Sequence, residues 1–416
     1  MGKNSFSKGL KDFPKDLSIN NISAGVLAAI FGCTGPALII IGGAANGGLT
    51  QAQTISWLFA VYFFGGLLGI FLALKYKQPI AGAYSIPGAV LVAGALANFS
   101  LSEAVGAYLV AGTIVFILGL TGLIGKIMHW IPVPIVMAMI VGAMIRFGTG
   151  MITSIETAPI IAGAAILVYL ISSRLTKKFP PILTSFGIAV ILAAILGQFQ
   201  VQQMDVGFSL PQLVIPSFSL DAIVSIAIPL ALLVIGAENA QATGVLMAQN
   251  YKPPINSMTI FSGIGGIITS LFGGHNANIA GPMTAICSSP DAGKKEGRYA
   301  GVVVNGILFA AFGLFAGIVI PFVTAMPGVL ISTVAGLAMI GVLLSSLQEA
   351  FSKPKFQIGS FFALVIAMSG VSFFGISSAF WAIIGGVIVS LVIEQSDFSS
   401  STSSIKEENV NNDVPA

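Results

Sequence analysis

The sequence predicts an all-α polytopic membrane protein of about fourteen transmembrane segments, arranged as a 7+7 inverted repeat with broken third and tenth spans. Three observations predict it. Hydrophobic residues fill 56% of the 416 positions and charged residues only 8%, against about 25% charged in a soluble domain. The basic residues fall on alternate loops, and the two halves of the chain share prolines at one fixed spacing. With a mean hydropathy of +0.97, and apolar character running from about residue 20 to residue 395, an ordinary soluble protein is excluded. So is a soluble domain on a single anchor.

Residues 1–19 are polar, with Lys3, Lys8, Lys11 and Lys15 and no small-residue cleavage site. They read as a retained cytoplasmic tail and not as a signal peptide. A helical span needs about 20 apolar residues, fewer where it is broken or buried in protein. Such stretches lie near 22–45, 51–73, 80–97, 102–124, 131–148, 157–173, 179–199, 221–248, 255–273, 276–290, 298–321, 327–349, 357–373 and 377–395. They divide the chain into a first seven-span repeat (20–199), an outer loop (200–220), a second repeat (221–395) and a Ser/Asn/Glu-rich tail (396–416) expected to be disordered. The 49 glycines and 20 prolines suit membrane helices that approach closely or are interrupted. Cys33 and Cys287 sit in apolar surroundings, so neither a disulfide framework nor a metal site is implied.

Charge placement tests the count. With both termini cytoplasmic, alternate loops should be basic. The inner segments then hold the four N-terminal lysines, Lys75, Lys77, Lys126, Arg174, Lys177, Lys178, Lys252, Lys294, Lys295, Arg298, Lys353, Lys355 and Lys406, which is 17 of the 18 basic residues. Only Arg146 falls on the outer side. A miscounted span would invert every later loop.

Pro87 and Pro282 stand 195 residues apart, as do Pro132 and Pro327, and in the same register Ala143-Met144-Ile145 recurs as Ala338-Met339-Ile340. The first helices match at an offset of 193, where Gly43-Ala44-Ala45-Asn46 parallels Gly236-Ala237-Glu238-Asn239. An odd number of spans per copy makes the second copy enter from the opposite side. In inverted repeats of this kind, sites lie near the midplane, where paired broken helices meet.

The third span reads Ala83-Tyr84-Ser85-Ile86-Pro87-Gly88, and the tenth Asn278-Ile279-Ala280-Gly281-Pro282-Met283. Proline disfavours helix at the residue before it and suits the first turn of a helix after it. Gly82 to Ile86 should therefore be extended and followed by a short helix, with the tenth span repeating the arrangement. Two half-helix N-termini facing each other in mid-membrane would offer unpaired N–H groups and partial positive charge, an anion site made of backbone. Ser85–Gly88 and Ala280–Met283 are its candidate residues.

Glu238 is the one acid placed deep within a span, 17 residues after Asp221. A charged carboxylate at that depth costs about 3 kcal/mol or more, so a proton is its natural partner. Gln241 shares its face and Asn239 adjoins it. His275 opens the tenth span, either as a second titrating group or as a loop cap. Tyr84 borders the first break, and Asn276 and Asn278 the second. Arg146 with Glu156 forms a candidate outer gate, set against an interfacial arginine that snorkels. No nucleophile–base set, zinc spacing or phosphate loop is present, so the chain reads as a non-enzyme without cofactors.

These residues resemble the bacterial benzoate/proton symporters over about residues 20–395. The most specific stretches are Tyr84-Ser-Ile-Pro-Gly-Ala, Gly119-Leu-Thr-Gly-Leu through Ile145-Arg-Phe-Gly, Thr284-Ala-Ile-Cys-Ser-Ser-Pro and Ser378-Ala-Phe-Trp. The wider relatives are nucleobase/cation symporters and sulfate permease-like carriers. The resemblance implies a core domain that moves against a gate domain, with substrate between spans one, three, eight and ten. Nucleobase carriers hold a Glu in the eighth span, as Ala237-Glu238-Asn239 does, and usually an acid or its amide in the tenth. Here that region, Asn278 to Pro282, carries no acid, which leaves the half-helix dipoles free for an anion.

The resemblance thus implies proton-coupled uptake of benzoate or a similar aromatic carboxylate by alternating access, through a bacterial plasma membrane. The carboxylate would lie on the backbone amides, the ring near Tyr84, and Glu238 would carry the proton. A nucleobase or another small anion as symported substrate is the alternative, and an anion channel a more distant one. The implied partners are a small organic anion, a proton and membrane lipid; nothing points to nucleic acid. Family analogy is compatible with a homodimer through gate domains, which no sequence feature fixes.

Overall fold

The computed structural model describes residues 6–33, 35–123, 132–175, 181–199, 210–371, 373 and 378–398. Lys3, Lys126, Lys177, Lys178 and Lys406, used above to assign sides, and the tail from residue 399 lie outside these. Each predicted span coincides with a helical element. They are α2 (Ile19–Cys33) with α3 (Gly35–Asn46), α4 (Gln51–Tyr76), α5 (Ile86–Ala95), α6 (Leu101–Thr121), α7 (Val133–Thr157), α8 (Pro159–Leu175) and α9 (Pro181–Ile195). The second half supplies α10 (Leu220–Met247), α11 (Ile255–Ser270), α12 (Gly281–Ser288), α13 (Tyr299–Leu314) with α14 (Ala316–Thr324), α15 (Gly328–Phe351), α16 (Gln357–Ser369) and α17 (Ser378–Ile393). Among the described residues six helices are long and apolar enough to cross a membrane, as in a multi-pass protein.

The repeat is visible in the geometry. Pro87 and Pro282 are each the second residue of a short helix, and Pro132 and Pro327 each sit at the N-cap of a long one. Spans two and nine exchange partners as an inverted copy requires, α4 packing on α13 and α11 on α6. Two short strands, β1 (Gly82–Ala83) and β2 (Asn278–Ile279), pair antiparallel with Ala83 opposite Asn278, residues 195 apart. Equivalent segments that cross antiparallel at their equivalent residue run in opposite directions through the molecule.

The pairing also solves an energetic problem. Unpaired backbone groups in an apolar interior cost several kcal/mol each. The two interrupted spans satisfy each other. Besides the strand pair, the Ala280 N–H donates to Ala81 O at 2.9 Å, and the Ala81 N–H to Thr284 Oγ1 at 3.1 Å. β1 lies flush on α4, where a Cβ on Gly82 would collide with Gly65 O and Gly69 N. Helix α5 starts at Ile86, one residue earlier than the proline rule suggests, because Ser85 caps it. The Ser85 Oγ accepts from the Gly88 N–H at 3.0 Å, the usual reach from N-cap to third helical residue.

Contacts sort the helices into two groups. Helices α7, α8, α9, α15, α16 and α17 pack on one another; α2–α6 and α10–α13 form the other group around the strand crossing. Helix α10 is not regular. It is π-helical over Ile223–Ala227 and again over Leu233–Asn239. Pro229 contributes, since it has no N–H to return to the preceding turn.

The polar N-terminal tail is more than a tail. Phe6–Asp16 forms α1, docked on α4 through Gly9 and through Lys77, whose ammonium lies 2.9 Å from Asp12 and 3.0 Å from Asp16. That neighbour holds the Asp12 carboxyl below its ordinary value. At the other terminus the expected disorder from Ser396 does not hold for its first residues: 395–398 are helical, and Asp397 accepts the Phe356 N–H at 2.8 Å. The end of the molecule bearing Lys75, Lys77, Lys252, Lys295 and Lys353 is called here the basic end, the opposite end the neutral end.

Candidate functional site

The strand crossing sends α5 and α12 away in opposite directions, leaving their N-termini facing across it. The two ends are finished differently. Ser85 caps α5, and its own backbone is held on both sides by the second repeat: its N–H donates to Asn276 Oδ1 at 3.0 Å, and its carbonyl lies 3.0 Å from His275 Nε2. At the equivalent position α12 has Ala280, which offers no side-chain cap. The missing acceptor comes from α10. The Gly281 N–H donates to Glu238 Oε2 at 3.4 Å, and the Ile86 N–H and Ser85 hydroxyl face the same carboxylate. One buried carboxylate thus bridges both half-helix N-termini. The second π-helical stretch, Leu233–Asn239, carries it there; such bulges recur at functional sites because they turn a side chain off the regular helical face.

Glu238 stands at the closed end of a cavity of about 400 Å³, within the range of about 300–1,000 Å³ of small-molecule sites. Ile86 and Pro87 of α5, Pro282 of α12, and Val133, Met137 and Ile140 of α7 form its apolar walls. Toward the basic end it opens past Gln241, Gly244 and Glu349, all exposed. The cavity therefore lies between the two helix groups and is accessible from one end. It offers backbone donors, the Gly281 and Ile86 N–H groups, beside an apolar-walled space.

Comparison with known proteins places the chain in a family. A family model described as "Benzoate membrane transport protein" matches residues 15–392. The chain belongs to that family. The benzoate membrane transport protein of Acinetobacter baylyi (strain ATCC 33305 / BD413 / ADP1) is 28% identical over 385 residues, covering 92% of this chain and 98% of the relative. Inner membrane protein YdcO of Escherichia coli (strain K12) is 31% identical over 374 residues, covering 89% and 95%. Among solved structures, the transmembrane domain of the cyanobacterium bicarbonate transporter BicA superposes with a TM-score of 0.58 at 15% identity, covering 88% of this chain and 97% of that one. SLC26A9 gives 0.64 at 15%, covering 92% and 67%. At such identities the structural likeness speaks for the fold alone. The protein is a multi-pass membrane transporter.

In this benzoate transport family member the sequence-predicted residues separate into three sets. Pro87, Glu238 and Gln241 line the cavity, with Ser85, Gly88, Ala280 and Gly281 forming the two termini behind it. A Cβ on Gly281 would collide with the Gln241 side chain, so these two pack face to face. The second set is buried but turned away. Tyr84 does not line the cavity; its hydroxyl bonds Tyr62 at 2.8 Å, and its ring packs edge-on to Tyr62 and His275. Asn239 clamps α10 to α11 through Thr259 at 3.3 Å and Ser262 at 3.2 Å. Met283 points at Gly32 of α2, and Asn278 is buried without a side-chain partner in the structure. His275 belongs here too. Its Nδ1 accepts from Trp57 Nε1 at 3.0 Å, which leaves Nε2–H to donate to the Ser85 carbonyl. Both ring nitrogens are committed in the neutral tautomer, so in this conformation His275 positions Ser85 and has no free nitrogen for a proton.

The third set is the expected outer gate, and it does not form. Arg146 and Glu156 lie on the same helix, α7, ten residues or about 15 Å apart along its axis, on different faces. What sequence reasoning missed is the gate-side wall. Val133, Met137, Ile140, Ser346 and Glu349 are ordinary apolar-helix positions in sequence; only the proline pair at 132 and 327 flags their helices.

Proposed function

We propose that this protein moves benzoate or a similar monovalent aromatic carboxylate together with one proton, by alternating access. The observation that carries the reading is the Glu238 carboxylate seated on both half-helix N-termini. Each helix N-terminus is worth roughly +0.5 of an elementary charge, so two of them amount to about +1, which one carboxylate balances. A substrate carboxylate entering beside an ionised Glu238 would leave the buried site with an uncompensated negative charge, at a cost of several kcal/mol. Protonating Glu238 restores neutrality and frees the Gly281 N–H for the incoming anion. One proton per monovalent anion follows from that balance.

The substrate's carboxylate would take the donors of Gly281 and Ile86 with the Ser85 hydroxyl, and its ring the slot walled by Pro87, Val133, Met137 and Ile140. These walls replace Tyr84 as the ring-contacting surface. The cavity opens past Gln241, Gly244 and Glu349 toward the basic end, so if that end is cytoplasmic, as the positive-inside rule requires, the conformation is inward-facing. Movement of the α5/α10/α12 group against α7 and α15 would close it and open the neutral end. A bacterial plasma membrane with both termini inside fits the same charge pattern.

The test is uptake of labelled benzoate into proteoliposomes under an imposed pH gradient, with substituted benzoates, uracil, xanthine and sulfate as competitors. Benzoates should compete, and sulfate, being divalent, should not. The Glu238→Gln variant should lose pH-driven accumulation by at least tenfold while retaining exchange of labelled for unlabelled substrate. Accumulation by that variant equal to wild type would overturn the coupling role.

A further inference from the structure

The two gate helices that face the site, α7 and α15, are repeat equivalents, each starting from its N-cap proline and packed along the other. Their charges are not equivalent. Arg146 on α7 matches Gly341 on α15, and Glu349 on α15 matches Ser154 on α7, at the same 195-residue offset. The shared scaffold requires neither charge.

They stand at opposite ends. Arg146 is 13 residues along α7, about 20 Å from its basic-end start, and it lines two cavities of about 220 and 290 Å³ on the neutral-end side. One lies between α5, α7 and α16, the other between α3, α7 and α15. Arg146 is exposed as a residue, with its guanidinium part-buried. Among the described residues its one hydrogen bond is a long one, 3.4 Å to Val90 O, and no carboxylate pairs with it. Its Cζ lies 5.6 Å from the centroid of the Phe147 ring, and its planar fork of donors matches a carboxylate. Every other Lys and Arg falls in the segments assigned to the basic end. Glu349 instead sits exposed at the basic-end mouth of the Glu238 cavity. Along these two helices an anion from the neutral end passes the exposed Glu156 before it reaches Arg146, and one entering the Glu238 cavity from the lysine-rich basic end passes Glu349 at its mouth.

We propose that Arg146 is an anion-capture residue on the neutral-end approach and Glu349 an anion-repelling residue at the basic-end mouth, so that the pathway has a built-in electrostatic polarity. This rests on the transport reading of the Glu238 site. The ligand class is a small carboxylate, and the effect is on side-specific affinity. A unit charge a few ångströms from the anion in a water-filled vestibule changes affinity about fivefold and is screened by salt.

The experiment measures benzoate KM separately from each face of proteoliposomes, at low and at high ionic strength. Arg146→Gln should raise KM from the neutral end about fivefold and leave KM from the basic end within twofold; Glu349→Gln should lower KM from the basic end by a similar factor. Both differences should shrink in high salt. Ser332→Asp keeps Arg146 and adds a carboxylate to the cavity that it lines; it should reproduce the Arg146→Gln shift, which covers the case of a poorly folded arginine variant. Equal shifts on both faces, or shifts that salt does not change, would overturn the proposal while leaving the transport reading intact. Wild-type liposomes that take up no benzoate or competitor would overturn both.

Discussion

The N-termini of α5 and α12 are the same device built twice, and they are finished differently. Helix α5 is closed by its own chain. Ser85 caps it, His275 and Asn276 hold the Ser85 backbone from across the crossing, and β1 rests on α4 with no room for a Cβ at Gly82. Helix α12 has Ala280 at the cap and borrows the Glu238 carboxylate from α10. A self-capped terminus holds its geometry while the Ile86 N–H and Ser85 hydroxyl still face Glu238. A terminus capped by a side chain that can be protonated is a site whose acceptor can be exchanged.

The comparison can be broken most severely at Gly82. Gly82→Ala forces β1 off α4, since the added carbon meets backbone atoms that have nowhere to move. It should cost about 3 kcal/mol or more and show as loss of monodisperse protein in detergent. The repeat-equivalent position already carries Ala277, so Ala277→Gly should be far milder.

The next change makes α12 resemble α5. Ala280→Ser supplies a local cap for the Met283 N–H, worth about 1 kcal/mol, and puts a hydroxyl oxygen at the same helix terminus whose Gly281 N–H the substrate anion would use. Benzoate KM should rise about fivefold with little change in thermal stability. An unchanged KM would mean that the uncapped terminus is not where the anion lies.

His275→Asn weakens α5 from the other side. It leaves the Trp57 N–H and the Ser85 carbonyl without partners at a cost of about 1–3 kcal/mol, readable as a lower melting temperature. Because the imidazole is held neutral, the pH profile of uptake should keep its shape, whereas Glu238→Gln should flatten it. A His275 variant with an altered profile would return that residue to the proton path. The smallest effect expected is that of Ser85→Ala, about 1 kcal/mol of stability, together with weaker uptake through loss of the hydroxyl beside Glu238.

Much of the fold was legible in the residues. Apolar stretches located the helices, and the fixed spacing of Pro87/Pro282 and Pro132/Pro327 located the repeat, because proline constrains the backbone in any context. Glu238 was legible for a similar reason: a carboxylate far from either end of an apolar span is too costly to be incidental. The companions chosen for it fared unevenly. Asn239, Tyr84 and Met283 are neighbours of the site in sequence but face away from it, since the π-helical turn and the strand crossing rotate them onto α11, α4 and α2. A 3.6-residue period cannot register a local widening of the helix. The Arg146–Glu156 gate failed on distance along one helix, which a span boundary set near residue 148 had hidden.

By itself, then, the sequence determined the class of protein, an expected sidedness for its loops, the doubled architecture and, among the described residues, the one buried acid, all quantities set by local composition or by spacing along the chain. Tertiary structure alone decided that Glu238 caps α12 in trans, that both ring nitrogens of His275 are taken up by Trp57 and Ser85, and that α7 supplies an apolar wall of the cavity and α15 its Ser346 and Glu349. Those facts depend on which faces meet after two inverted copies cross. Side-chain direction across such a crossing is a property of packing, and no single segment encodes it.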